Sequence, residues 1–353
     1  MCRVTGGEPL PPRRSETQVP KYVLNYYVID QPLDPHAQYR GRGWWVGFEP
    51  ARKYLTDCPV YRSYKDKRGR RRQTPAKLVV IRTTSWLDAM KAGRLITAVE
   101  CVLHGSSQIH DVPDLLPYPA DSQEKAPLDE RTLDVVRGSG ASSSNMQAAC
   151  QIAAKASYRN ARVHAIFKLL WSYRLYSTWW VDLDPDLSGE ILPKGQTPEE
   201  QVAFAHAIVL AYAAIEELGL EVRTSSDRPS RPDGKWNPEV RAELERRLAK
   251  SNIKISAPTL WNLRGRRTRL EQDRPTYPVG RAAWSGGLVR DQQVHICDAI
   301  ADVSWLRSWV AAHKSGELVK LLSPYDVDNA QHLARRLILE SMGFWPPWRK
   351  VGE

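Results

Sequence analysis

The 353-residue chain is poor in cysteine, and Cys2, Cys58, Cys101, Cys150 and Cys297 are scattered with no Cys-x-x-Cys pair. That spacing indicates neither a zinc site nor a disulfide framework, and it fits a reducing, cytoplasmic compartment. No apolar run approaches the ~18 residues that a membrane span needs, so no membrane partner is expected. The polar, Pro-rich opening MCRVTGGEPLPPRRSE is unlike a signal peptide. Neither GxxxxGK[ST] nor GxGxxG occurs, which leaves no phosphate-cradling nucleotide fold. GxSxG is missing too, so Ser142 to Ser144 read as linker residues rather than a hydrolase nucleophile. Without an HExxH helix or a clustered carboxylate trio, nothing indicates a divalent ion. No metal or cofactor is expected. Acidic residues are also in deficit: 40 Asp and Glu stand against 51 Lys and Arg, a net charge of +11. Such a balance suits a polyanionic partner, RNA or another nucleic acid.

What is present excludes wholesale disorder: 42% of residues are hydrophobic, with 13 Trp and 14 Tyr. Residues 1–20 read as a disordered lead. Residues 21–115 read as a small α+β module, mixed or mostly β. Its strand-like runs are Tyr22–Ile29, Trp44–Phe48, Leu78–Ile81 and Leu95–Leu103, each β-branched or aromatic and bounded by turn residues. A short helix is expected over Ser85–Ala92, where Trp86, Leu87 and Met90 share a face. Within the module, Lys65-Asp66-Lys67-Arg68-Gly69-Arg70-Arg71-Arg72 is the densest charge run. It reads as a solvated loop, and its cations can hold phosphates without reading base sequence. Residues 116–145 combine Pro, Asp, Gly and three serines as a linker, with a domain boundary near residue 140.

Residues 146–353 then read as an all-α bundle with a polar insertion at about 223–283. A long helix is expected within Met146–Trp180. Thr197-Pro198-Glu199-Glu200 opens another that runs to Gly219, and Asn237-Pro238-Glu239 opens a third. The insertion carries a second basic cluster: Arg264, Arg266 and Arg267. Ile296, Ile300, Val303, Leu306 and Val310 recur at helical spacing, and a last helix covers Val327–Met342.

The chemistry-bearing stretch is Arg290-Asp291-Gln292-Gln293-Val294-His295, expected to open the helix that continues through Val310. On that helix His295 lies off the apolar stripe, with Asp291 one turn before and Asp298 one turn after to hold the imidazole. Arg290 must reach round from the first turn. The same pattern, Arg, a polar residue, three more positions and His, recurs as Arg159-Asn160-Ala161-Arg162-Val163-His164. Glu216 and Glu217 read as a polar helix end, one of which could orient Arg290. His332, Arg335 and Arg336 read as a solvated basic face, and Trp305 and Trp309 as core or interface.

This pattern within helices resembles the HEPN family, small helical bundles whose ribonuclease members carry Arg, a polar residue and a His a few positions on. The resemblance covers roughly the last 150 residues. It implies a metal-independent endoribonuclease in a prokaryotic defence or toxin system, with Arg290, Asp291 and His295 as the site and Arg159, Asn160 and His164 as a second-tier set. It also implies pairing of two motifs, within one chain or across a homodimer. The alternative is a catalytically silent HEPN-like protein that binds RNA or serves as a scaffold.

Overall fold

A computed structural model describes residues 21–23, 37–50, 60–65, 68–75, 77–105, 146–176, 197–222, 236–261, 284–285, 288–289, 292–312, 322 and 324–346. The expected lead (1–20), the linker (116–145) and most of the polar insertion lie outside them. The architecture is mixed α+β: a small antiparallel sheet followed mainly by helices.

The sheet has four strands in the order β1 (Lys21–Val23), β6 (Lys77–Thr83), β3 (Trp44–Pro50) and β2 (Gln38–Gly41). β3 alternates as a half-buried strand should: Trp44, Val46 and Phe48 enter the core, while Trp45 stays exposed beneath the Arg40 guanidinium. β4 (Val60–Lys65) and β5 (Arg71–Pro75) pair separately as a hairpin.

Helix α1 covers Trp86–His104. Ser85 caps it, its Oγ accepting the Asp88 N–H, and Gly105 in the left-handed region ends it. The expected strand over Leu95–Leu103 is therefore wrong. Every residue from Leu95 to Leu103 is buried, so neither a period of two nor of 3.6 shows in the sequence. With the period hidden, the β-branched content misleads, and a capped helix outweighs it.

The expected long helix after residue 146 is two: α2 (Met146–Ala156) and α3 (Asn160–Leu175). The Ser157 hydroxyl donates to the Ala154 carbonyl and accepts the Arg42 N–H from the β2–β3 turn, 2.7 and 2.8 Å respectively. α4 (Pro198–Glu217) opens with the reciprocal capping box of Thr197 and Glu200. α5 (Pro238–Lys250) is capped by Asn237. α6 covers Ile296–Ala312 and α7 Pro324–Ser341.

α4 is the central helix. Phe204, Ala207, Ile208, Ala211, Ala214 and Ile215 recur at three- and four-residue spacing, all buried, and α3, α6 and α7 pack around them. The helical half is not all-α. β7 (Thr259–Trp261) pairs with β10 (Gln292–Val294), and β8 (Trp284–Ser285) with β9 (Leu288–Val289). One apolar core runs without a break from Trp44 and Ile81 through α1, α2 and α4 to Met342, so sheet and helices share an interior.

Candidate functional site

The register of β10 decides the geometry of the Arg290–His295 segment. Gln292, Gln293 and Val294 face Trp261, Leu260 and Thr259, so the backbone is extended there, and α6 begins only at Ile296. This corrects the expectation that the whole segment opens the helix. A strand partner about thirty residues upstream pairs with this stretch, and burial of Val294 adds to the preference. Arg290 and Asp291 lie outside the described residues.

His295 is half-buried and sits at the N-cap of α6. Its carbonyl accepts the Ala299 N–H at 3.0 Å, and its Nδ1 accepts the Cys297 N–H at 3.3 Å. The ring thus occupies the position that Ser, Thr or Asp usually fills. A neutral ring accepting at Nδ1 carries its proton on Nε2 and offers solvent a donor rather than a lone pair. Asp298 does not hold this ring, contrary to expectation: its Oδ1 accepts the Trp236 indole N–H at 2.5 Å.

The second motif lies differently. Arg159 is the extended N-cap of α3, with no side-chain capping bond, and both it and Asn160 are exposed. His164 is exposed on the first turns of α3, its Nδ1 3.8 Å from Glu217 Oε2 on α4. The other Glu217 oxygen holds Lys168 Nζ at 2.7 Å. Arg162, between the two motif residues, reaches the Ser341 carbonyl at 3.4 Å. Burial and the neighbouring Arg159 both push its pKa down. The two guanidiniums thus concentrate positive charge at the start of a helix whose dipole adds to it. Glu216 pairs with Arg307 of α6 at 3.4 Å. α3 and α6 both pack on α4, but the two motif histidines have no partner in common.

Of the basic run at 65–72, Lys65 lies on β4 opposite Arg71 of β5, and Tyr64 lies opposite Arg72. Arg68 and Arg70 at the tip are exposed. Lys67, Arg264, Arg266 and Arg267 lie outside the described residues. His332, Arg335 and Arg336 are not a solvated face. Arg336 is 2% exposed, and Arg335 donates to the Val102 and Leu103 carbonyls at the end of α1. His332 stands edge-on to Trp345, and burial, with Arg335 and Arg336, pushes its pKa down to about 4. Trp305 is half-buried against the core. The Trp309 side chain lies outside the described residues.

A cavity of about 740 Å³ opens between α1, α3 and the β2–β3 turn. No spacing in the sequence announces it, because its walls come from three separate stretches of chain, within 42–44, 88–101 and 157–174. Among the described residues, no group of three or more His, Cys, Asp and Glu could hold a metal ion, and no helix is long and apolar enough to cross a membrane. No protein-family model, curated protein or solved structure matches the chain.

Proposed function

We propose that the protein is a metal-independent endoribonuclease of HEPN type, acting on RNA. The observation that carries this reading is the exposed His164 imidazole facing the Glu217 carboxylate, on the helix that Arg159 caps. In this reading Glu217 lies on the Nδ1 side of the ring, and Nε2 is left for substrate. An RNA chain supplies its own nucleophile, the 2′-hydroxyl. The imidazole takes that proton as oxygen attacks phosphorus; the P–O5′ bond breaks, and the imidazolium so formed returns the proton, through water, to the departing 5′-oxygen. The products are a 2′,3′-cyclic phosphate and a 5′-hydroxyl end. In this reading Arg159 and Arg162, at the start of the same helix, supply guanidinium donors for the charge that develops on the phosphate oxygens. The net charge of +11 and the exposed Arg68 and Arg70 support an RNA partner. Of the two motifs, Arg159/His164 thus has the better-placed imidazole, and Arg290/His295 is the reserve site.

A second reading is RNA binding without cleavage. The observation favouring it is that His295, the group first expected to act, has its Nδ1 engaged by the backbone of α6.

End-labelled RNA incubated with the protein in EDTA tests both readings. Cleavage leaving 2′,3′-cyclic phosphate ends and falling about 10²–10⁴-fold in His164→Ala is the expected result, the range for loss of a general acid–base group. Loss in His295→Ala instead moves the site to α6. Retention without cleavage establishes the binding reading, and neither cleavage nor retention overturns both.

A further inference from the structure

Arg42 on the β2–β3 turn, Lys91 and Arg94 on α1 and Arg174 near the end of α3 all border the 740 Å³ cavity. The lining holds one carboxylate against these four cations, Asp88, and it is already engaged. Its Oδ2 accepts the Ser85 hydroxyl at 2.6 Å, and its Oδ1 lies 3.6 Å from Lys91. Positive charge is therefore left uncompensated around a concave opening, where it attracts an anion more strongly than on a flat surface. All four cationic side chains are exposed, and neither Arg42 nor Arg94 meets a carboxylate of the lining.

Below this rim the walls are flat and apolar. Trp44 is buried, Phe167 half-buried, and Trp171 is 53% exposed with the Arg174 guanidinium 4.9 Å above its ring. Such surfaces stack on planar rings. Thr97, Ala98 and Leu95 of α1 add to the lining. The volume lies within the ~300–1,000 Å³ of ligand pockets.

We propose that this cavity binds a nucleoside phosphate. The base lies against the aromatic walls, and the phosphates lie among Arg42, Lys91, Arg94 and Arg174. A simple carboxylate would leave most of the rim unused, and an inorganic anion would leave the aromatic walls empty. The occupant is a free nucleotide or the phosphorylated terminal nucleotide of an RNA strand, which share this chemistry. His164 and Glu217 are not among the lining residues, and the proposal holds whether or not the protein cleaves RNA.

Isothermal titration of the full-length protein with the four ribonucleoside diphosphates tests it, beside adenosine, inorganic phosphate and short 5′-phosphorylated and 5′-hydroxyl oligoribonucleotides. At least one diphosphate, or the 5′-phosphorylated strand, binds saturably and at least tenfold more tightly than adenosine or phosphate alone. Competition between the 5′-phosphorylated strand and a diphosphate, with no competition from the 5′-hydroxyl strand, identifies a strand end. Binding of the diphosphate alone identifies a free nucleotide. The Arg94→Glu, Arg174→Glu double variant loses at least tenfold. Arg246→Glu, on α5 away from the cavity, retains affinity. Absence of saturable binding by any diphosphate or phosphorylated strand, or unchanged affinity in the charge-reversed protein, overturns the proposal. Titration reads binding and not cleavage, so failure here and failure of the nuclease reading are told apart.

Discussion

Replacing Arg336 by Met tests how the approach to the candidate helix α6 is held. Arg336 lies on α7 inside the protein, and its guanidinium divides its donors three ways. Nε meets Glu340 Oε2 at 3.1 Å, Nη2 meets the Ala257 carbonyl at 2.7 Å, and Nη1 meets the Pro258 carbonyl. Glu340 Oε1 in turn accepts the Lys254 N–H at 2.7 Å. One ion pair thus fastens residues 254–258, which run directly into β7, the partner of β10 and hence the support of His295. Met fills much of the same volume, so the loss is mainly electrostatic: a buried carboxylate without its cation and two carbonyls without donors. Breaking a buried pair from one side costs about 3–5 kcal/mol. Arg336→Met, Glu340→Met removes both charges but leaves the two carbonyls and the Lys254 N–H unpaired, at about 1 kcal/mol each. The double variant is therefore expected to lose no more than either single variant, with a coupling energy of about 2 kcal/mol or more. Urea unfolding of the four proteins, followed by Trp fluorescence and far-UV circular dichroism, measures the cycle. Faster amide exchange at Gln292–Val294 in the single variant checks that the damage reaches β10. A single variant losing less than about 1 kcal/mol, or a strictly additive double, would refute the account.

Two further predictions concern the histidines. Burial, with Arg335 nearby, pushes the His104 pKa down to about 4, as burial, Arg335 and Arg336 do for His332. The unfolded chain binds these protons near 6.5, so the folded protein keeps the contribution of neutral rings above pH 6.5 and loses it as the pH falls toward 4. Between pH 7.5 and pH 5 each ring accounts for up to about 2 kcal/mol of lost stability; urea midpoints at the two pH values should narrow in His332→Gln, and an unchanged gap counts against the assignment. At the N-cap of α6, His295→Ser keeps a side-chain acceptor for the first turn while His295→Ala does not. Ala should cost about 1 kcal/mol and Ser much less; equal losses in urea melts would show that the ring acts by packing rather than capping.

Much of the helical half is legible because its signals are local. Thr197-Pro198-Glu199-Glu200 and Asn237-Pro238 carry their own hydrogen-bond partners, and both caps form as the residue types require. β3 is legible because one face is buried and the other wet. Leu95–Leu103 is not, since enclosure on all sides removes the periodic signal. The break at 157–159 is not legible either. It is pinned by an N–H from Arg42, 115 positions away, and no window of neighbouring residues contains that contact.

The same distinction separates the two Arg–His motifs. A motif of this kind describes helical phase, and phase has meaning only while both residues ride on one helix. Around Arg159 and His164 nothing distant intervenes: α3 starts directly after Arg159, and the carboxylate that meets His164 comes from the neighbouring helix. Around His295 the chain between the two motif residues is taken by β7, and the helix starts past the motif instead of within it. A long-range backbone pairing thus overrode a local pattern that was otherwise sound. The cavity marks the other limit. Its charge is visible in composition as a surplus of Lys and Arg, but its concavity exists only after α1, α3 and the β2–β3 turn meet. Charge can therefore be read before folding and placement cannot. For that reason the expectation of an anionic partner can be formed from the sequence, whereas the grouping of Arg42, Lys91, Arg94 and Arg174 depends on tertiary packing.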